Sequence, residues 1–271
     1  MESGMDFDVI RITFLALIQG LTEFLPIWSS AHLILPSALL GWEDQGLAFD
    51  VAVHLGTLSA VVLYFYRDIL AIASGCLRHL FRQQASAEGL LGFYLIIATV
   101  PVIVAGFLAK DFVDSTLRSP AVIASTTILF GLLLFWSDRY SSGQRQLGDL
   151  NWKTAMIIGL AQVLALVPGT SRSGITMTAA LFCHQDRASA SRFSFLLSIP
   201  VIAGAALLLV LDLLEAPEVN WSELVYGMVL AGGVAFACIH FFLKTISQLG
   251  FLPFVGYRLL LGAVLFLFLF E

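Results

Sequence analysis

Over much of this chain the apolar residues do not recur at a helix or strand period. They run on in blocks separated by short polar connections. A hydrocarbon core of roughly 30 Å takes about 20 residues of helix to cross. Six blocks are long enough, residues 49–66, 90–109, 120–136, 193–211, 224–243 and 254–270, and each predicts a membrane-crossing helix. Pro101 and Pro200 lie inside two of them, which membrane helices tolerate where neighbours satisfy the freed backbone groups.

Four apolar pieces break this pattern. Residues 9–25 are interrupted by Gln19 and Glu23 and stopped by Pro26. Residues 31–41, 154–167 and 173–183 are too short to cross, and Pro168 stops the middle one. Paired short segments around a Pro and Ser break predict re-entrant hairpins, at about 9–41 and about 154–183.

Composition fits a membrane protein. The 271 residues are 59% hydrophobic and 12% charged, against roughly 45–50% and about 25% in soluble domains. Residues 1–8 are acidic and no small-residue cleavage site follows, so no cleavable signal is expected. Cys76, Cys183 and Cys238 are spaced for neither zinc nor a disulfide framework and read as small apolar filler. The net charge of −5 comes without a basic patch, so no nucleic-acid partner is expected. Trp42, Trp136, Trp152 and Trp221 fall near segment ends and read as interfacial anchors.

Charge also orients the chain. If each hairpin returns to the side it entered from, one side holds Arg67, Arg78, Arg82, Arg139, Arg145, Lys153, Arg187, Arg192, Lys244 and Arg258. The other holds Arg11, Lys110 and Arg118, and Arg172 stays inside the second hairpin. By the positive-inside rule the richer side is cytoplasmic. Both termini, and the opening of the first hairpin, then face outward. Residues 1–140 and 150–271 each read as one hairpin followed by three spans. Three is odd, so the second half inserts upside down. The expected fold is an all-α polytopic membrane protein, with six transmembrane helices plus two opposed re-entrant helical hairpins in an inverted-topology repeat. Such folds place their site near the midplane.

The candidate chemistry sits in the breaks. Residues 168–176, Pro-Gly-Thr-Ser-Arg-Ser-Gly-Ile-Thr, put four hydroxyls, two glycines and one arginine between apolar runs. Gly169 and Gly174 allow backbone amides to approach an anion. Thr170, Ser171, Ser173 and Thr176 add donors, and a helix starting near Ser173 adds its N-terminal amides. Arg172 presents a planar fork suited to phosphate, although an arginine in a surface loop would simply snorkel. Glu23 is costly in a membrane and needs Arg172, a metal or a proton beside it. Gln19 shares its helical face, and oxygen donors at that spacing suit Mg²⁺ or Ca²⁺. Ser29, Ser30 and His32 offer a hydroxyl with an imidazole nearby, with Ser30 also placed to cap the next helix. His54 reads equally as a cavity-lining or a packing histidine. His79, His184 and His240 lie near the inner boundary and need no function.

These motifs resemble a known family. Gln19-x-x-x-Glu23 with Phe24-Leu25-Pro26 and Ser29-Ser30-Ala31-His32 is similar to the first motif of bacterial undecaprenyl-diphosphate phosphatases of the bacitracin-resistance type. Residues 168–176 resemble their second motif, and the resemblance covers essentially the whole chain. It implies hydrolysis of the terminal phosphate of a C55 polyprenyl diphosphate, which recycles the lipid carrier of peptidoglycan synthesis, in the bacterial plasma membrane and with a divalent metal. It also implies roles: Glu23 on metal or as acid/base, Ser29 as nucleophile, His32 as its proton partner, and Arg172 on the diphosphate beside Ser171, Ser173 and Thr176. A metal-activated water is the other open nucleophile. The family carries Glu or Gln where Gln19 stands. It carries serine where Trp28 stands, so a large indole is expected to narrow this site. The partners expected are the lipid substrate and the bilayer, with a homodimer left open as an assembly. The rival reading is a transporter or flippase for a polyprenyl phosphate or another anion, since inverted repeats with broken helices are a common carrier plan.

Overall fold

The computed structural model describes residues 2–29, 32–33, 42, 46–82, 86–117, 119–213 and 220–267. Ten α-helices run through them in the order α1 Glu2–Thr22, α2 Gly46–Tyr64, α3 Tyr66–Arg82, α4 Ala87–Thr116, α5 Pro120–Tyr140, α6 Trp152–Val163, α7 Arg172–Phe182, α8 Arg187–Leu213, α9 Trp221–Leu249 and α10 Leu252–Leu267. A 3₁₀ turn, Leu164–Leu166, extends α6. No strand occurs among the described residues.

Local sequence sets several helix ends. Ser86 accepts from Gly89 N at 3.1 Å to start α4. Ser119 does the same for Val122 N at 3.3 Å, with Pro120 in the first helical position of α5. Asn151 caps α6 through the amides of Lys153 and Thr154.

Five helices are long and apolar enough to cross a membrane: α2, residues 87–109 of α4, α5, residues 187–207 of α8, and α9. Their outer faces expose Ile103, Phe107, Leu108, Leu129 and Phe241, as expected where acyl chains are the solvent. The sixth expected span, 254–270, is helical over Leu252–Leu267 and then passes outside the described residues. Most of the second arm of the first hairpin, 31–41, also lies outside them.

The sequence reading missed α3. Residues 66–82 form no long apolar block, yet they fold as a strongly amphipathic helix. Leu70, Leu77, Leu80 and Phe81 are exposed on one side, and the arc beside them carries Arg67 and Arg78. The chain bends at buried Phe65, over which Arg192 lies while pairing with Asp68 at 2.8 Å. At the same end of α8, Arg187 forms a two-point pair with Asp138 of α5, at 2.7 and 3.0 Å.

Small residues let the crossing helices touch, as helix pairs in lipid require. A Cβ on Gly20 of α1 would lie 2.6 Å from the Ala231 carbonyl oxygen of α9. A Cβ on Gly159 of α6 would lie 2.6 Å from the Ala98 carbonyl oxygen of α4. The short helix α7 runs through the centre, buried from Ser173 to Leu181. It packs on α5, α6 and α8. Phe24, Ile158, Met177, Phe193, Phe195 and Leu196 close the core around it.

Candidate active site

The site is assembled from two helix breaks that face each other. Helix α1 stops ahead of Pro26, so the carbonyls of Leu25, Pro26 and Ile27 have no following helical amide. Such groups must find donors inside a membrane protein. Ser173 Oγ donates to Leu25 O at 2.7 Å and Ser171 Oγ to Ile27 O at 3.0 Å. These two hydroxyls, expected beside a phosphate, hold the first break against the second.

The second break is tight. Gly169 has φ +89°, and a Cβ there would also lie 2.1 Å from Thr126 Oγ1, so both conformation and space require glycine. Ser171 has φ +68°, a costly region for a residue with a side chain. Its hydroxyl is fixed at both ends, since it also accepts from Gly174 N at 3.2 Å and caps α7. The Gly174 amide is therefore engaged. The first amides of α7, at Arg172 and Ser173, have no partner within the helix and give it a positive end. Thr176 Oγ1 bonds to the Arg172 carbonyl at 3.0 Å and to Ser194 Oγ at 2.7 Å, so it stiffens that end. Thr170 Oγ1 is buried without a partner.

Arg258 of α10 lies beneath both breaks, fully buried. It donates to Gly169 O at 2.8 Å, Thr170 O at 2.9 Å, Thr127 O at 3.2 Å and Pro26 O at 3.5 Å. This corrects its place among the inner-surface cations: Arg258 is a core group whose guanidinium pins the breaks together. An arginine inside an apolar run was the visible signal, and the charge count hid it.

Glu23 and Arg172 meet where the breaks face. Arg172 Nη2 lies 2.9 Å from Glu23 Oε1, with both side chains largely buried. Arg172 Nη1 reaches Ser194 O at 3.4 Å. The other carboxylate oxygen, Oε2, accepts from Gln19 Nε2 at 3.0 Å and from Ser29 Oγ at 3.3 Å. His54 of α2 brings its Nε2 to 3.8 Å from the same oxygen. Glu23, Arg172, Gln19, Ser29 and His54 thus form one cluster.

His32 stands apart from it. Its Nδ1 is bonded to Trp28 O at 2.7 Å and its Nε2 to the hydroxyl of Tyr257, whose ring stacks on it. The expected Ser29–His32 partnership is replaced by Ser29–Glu23, because the imidazole is spent on α10. Tyr257 had no local signal in the sequence. Trp28 is half-buried. Ser30 lies outside the described residues.

For a divalent cation, no group of three His, Cys, Asp or Glu side chains occurs among the described residues. The oxygens present still fit a hard cation that takes part of its shell from phosphate. Gln19 Oε1 is buried with no partner, on the amide whose Nε2 donates to the Glu23 carboxylate. A family model described as bacitracin resistance protein BacA matches residues 12–264 of the chain.

Proposed function

The chain belongs to the family of bacitracin resistance protein BacA, and we propose that the Glu23–Arg172 cluster is where it removes the terminal phosphate of its lipid substrate. The family is that of undecaprenyl-pyrophosphate phosphatases. The chain is accordingly a membrane hydrolase that returns the C55 lipid carrier to cell-wall synthesis and confers bacitracin resistance. Of the two readings open from the sequence, family membership selects the enzyme over the carrier.

One observation carries the placement: Glu23 and Arg172, from opposite helix breaks, pair at 2.9 Å with Ser29 on the same carboxylate. Phosphoryl transfer asks mainly for positioning and for cations where charge develops. Arg172 and the first amides of α7 supply that positive field. Ser29 Oγ already donates to Glu23 Oε2. Glu23 takes the Ser29 proton as Oγ forms a bond to the terminal phosphorus. The bridging P–O bond breaks, and its electron pair leaves on the lipid monophosphate. Water then hydrolyses the phosphoserine, and Glu23 returns the proton. Glu23, through Oε2, and Gln19, with its amide turned to present Oε1, would hold a divalent cation such as Mg²⁺ or Ca²⁺. When bound, that ion neutralises phosphate charge.

The same reading places this site in an inverted repeat of the plasma membrane, opening outward, with six crossings and two re-entrant hairpins. Helix packing supports it. Exchanging the halves turns the α1–α9 contact at Gly20 into the α6–α4 contact at Gly159, both against a carbonyl oxygen at 2.6 Å. Helices α2 and α8, and α5 and α10, pack on their own counterparts. With Arg258 removed from the inner cations, nine against three still orient the chain the same way.

Rapid quench of the chain with substrate labelled in its terminal phosphate tests the step. Label on Ser29, absent from Ser29→Ala, is expected. Release of phosphate with inverted configuration and no labelled serine would replace Ser29 by water as the nucleophile.

A further inference from the structure

We infer that His54 Nε2 is a third protein donor to the cation held by Glu23 and Gln19, making a mixed nitrogen–oxygen centre that prefers Mn²⁺ to Ca²⁺. The inference rests on the metal reading above and adds a ligand and a class of ion to it.

The hydrogen bonds fix the chemistry of the ring. His54 Nδ1 lies 2.7 Å from the backbone carbonyl of Asp50. A carbonyl only accepts, so Nδ1 carries the hydrogen, and in the neutral ring Nε2 presents a lone pair. That lone pair faces Glu23 Oε2 across 3.8 Å. Oε2 is itself an acceptor, because Arg172 holds the other oxygen of the carboxylate. Gln19 Oε1, on the amide whose Nε2 donates to Oε2, is a buried acceptor with no partner. Two lone-pair atoms, His54 Nε2 and Glu23 Oε2, thus face each other with no hydrogen between them, and a half-turn of the Gln19 amide, which now donates its Nε2 to Oε2, brings a third, Oε1, to the same place. With metal–ligand bonds of about 2.0–2.2 Å, two donors to one ion stand roughly 3–4 Å apart, which 3.8 Å meets. A ring nitrogen fixed by an N–H bond to a backbone carbonyl is also how protein imidazoles are oriented toward metals.

The donor set then selects the ion. Gln at position 19 brings no charge, so the site has one carboxylate, already shared with Arg172. Ca²⁺ and Mg²⁺ favour all-oxygen sites, whereas imidazole suits first-row transition ions. Mn²⁺ is the member of that series that also accepts carboxylate and phosphate oxygens. A proton in place of the ion would make His54 an imidazolium paired with Glu23, and this is the competing outcome.

The test uses the purified full chain in detergent and Mn²⁺ as probe, read by electron paramagnetic resonance without substrate. One bound Mn²⁺ is expected, with nitrogen hyperfine coupling from one imidazole. His54→Gln should remove the coupling and weaken Mn²⁺ binding about tenfold or more, with Ca²⁺ competition changing by less than about threefold. His32→Gln should keep the coupling, and an unchanged elution profile shows that both variants fold. Coupling that survives in His54→Gln overturns the inference. So does Mn²⁺ that depends on Glu23 but shows no nitrogen, an outcome that leaves the metal reading standing. If no Mn²⁺ binds at all, both readings fall.

Discussion

Because helix α1 stops ahead of Pro26, three carbonyls lose their helical donors, and side chains remote in sequence replace them: Ser173, Ser171 and Arg258. Each buried carbonyl left without a donor costs about 1–3 kcal/mol. Arg258→Met strips donors from four carbonyls at once. It is expected to lower the Tm in detergent by at least about 5 °C, with Arg258→Lys in between. An unchanged Tm would mean the breaks hold without the clamp. The residue scale also separates two side chains that lie close in sequence. Ser29→Ala should lower kcat at least about 10²-fold, since its hydroxyl sits on the Glu23 carboxylate. His32→Gln and Tyr257→Phe should each cost less, and the double variant no more than either alone, because the two share one bond. Additive losses would give His32 a separate role. Glu23 and Arg172 were legible in the sequence because charge inside an apolar run is costly. The duties of Ser171 and Ser173 were not, since they depend on carbonyls roughly 145 positions away that only the folded breaks bring near.

Single glycines set how closely the elements approach. Gly20 and Gly159 occupy matching contacts in the two halves. Aligning the halves on them sets Glu23 opposite Gln162, four residues from the Gln19–Gln162 register that the sequence suggests. The extra residues before Pro168 are taken up by the 3₁₀ turn Leu164–Leu166. Gly20→Leu and Gly159→Leu should therefore fail alike, by overpacking against backbone, with loss of the monodisperse peak on size exclusion. If one is tolerated and the other is not, the contacts are not equivalent. Helix α3 shows what long apolar blocks conceal. Its alternation of leucine and arginine spreads over the whole turn, so a search for uninterrupted apolar length passes over it, whereas its amphipathic period does not.

The whole molecule is a membrane bundle in which the short buried helix α7 is held by the helices around it. The sequence made the apolar blocks and the two breaks plain, because bilayer thickness sets their length. It could not show which helices pair, since in lipid that choice depends on small residues meeting at particular carbonyls. The proposed orientation predicts labelling from opposite sides. With Cys76, Cys183 and Cys238 replaced by alanine, Asn220→Cys should react with an impermeant maleimide in intact cells and Ser142→Cys only after lysis. The reverse pattern would invert the topology. The central claim is that Glu23 and Arg172 form the hydrolytic centre, and phosphate release from undecaprenyl diphosphate tests it most directly. Arg172→Met is expected to lower kcat/KM by about 10³-fold or more, and Glu23→Gln to abolish turnover, with both proteins still folded. Folded variants that release phosphate at the parent rate would contradict the account.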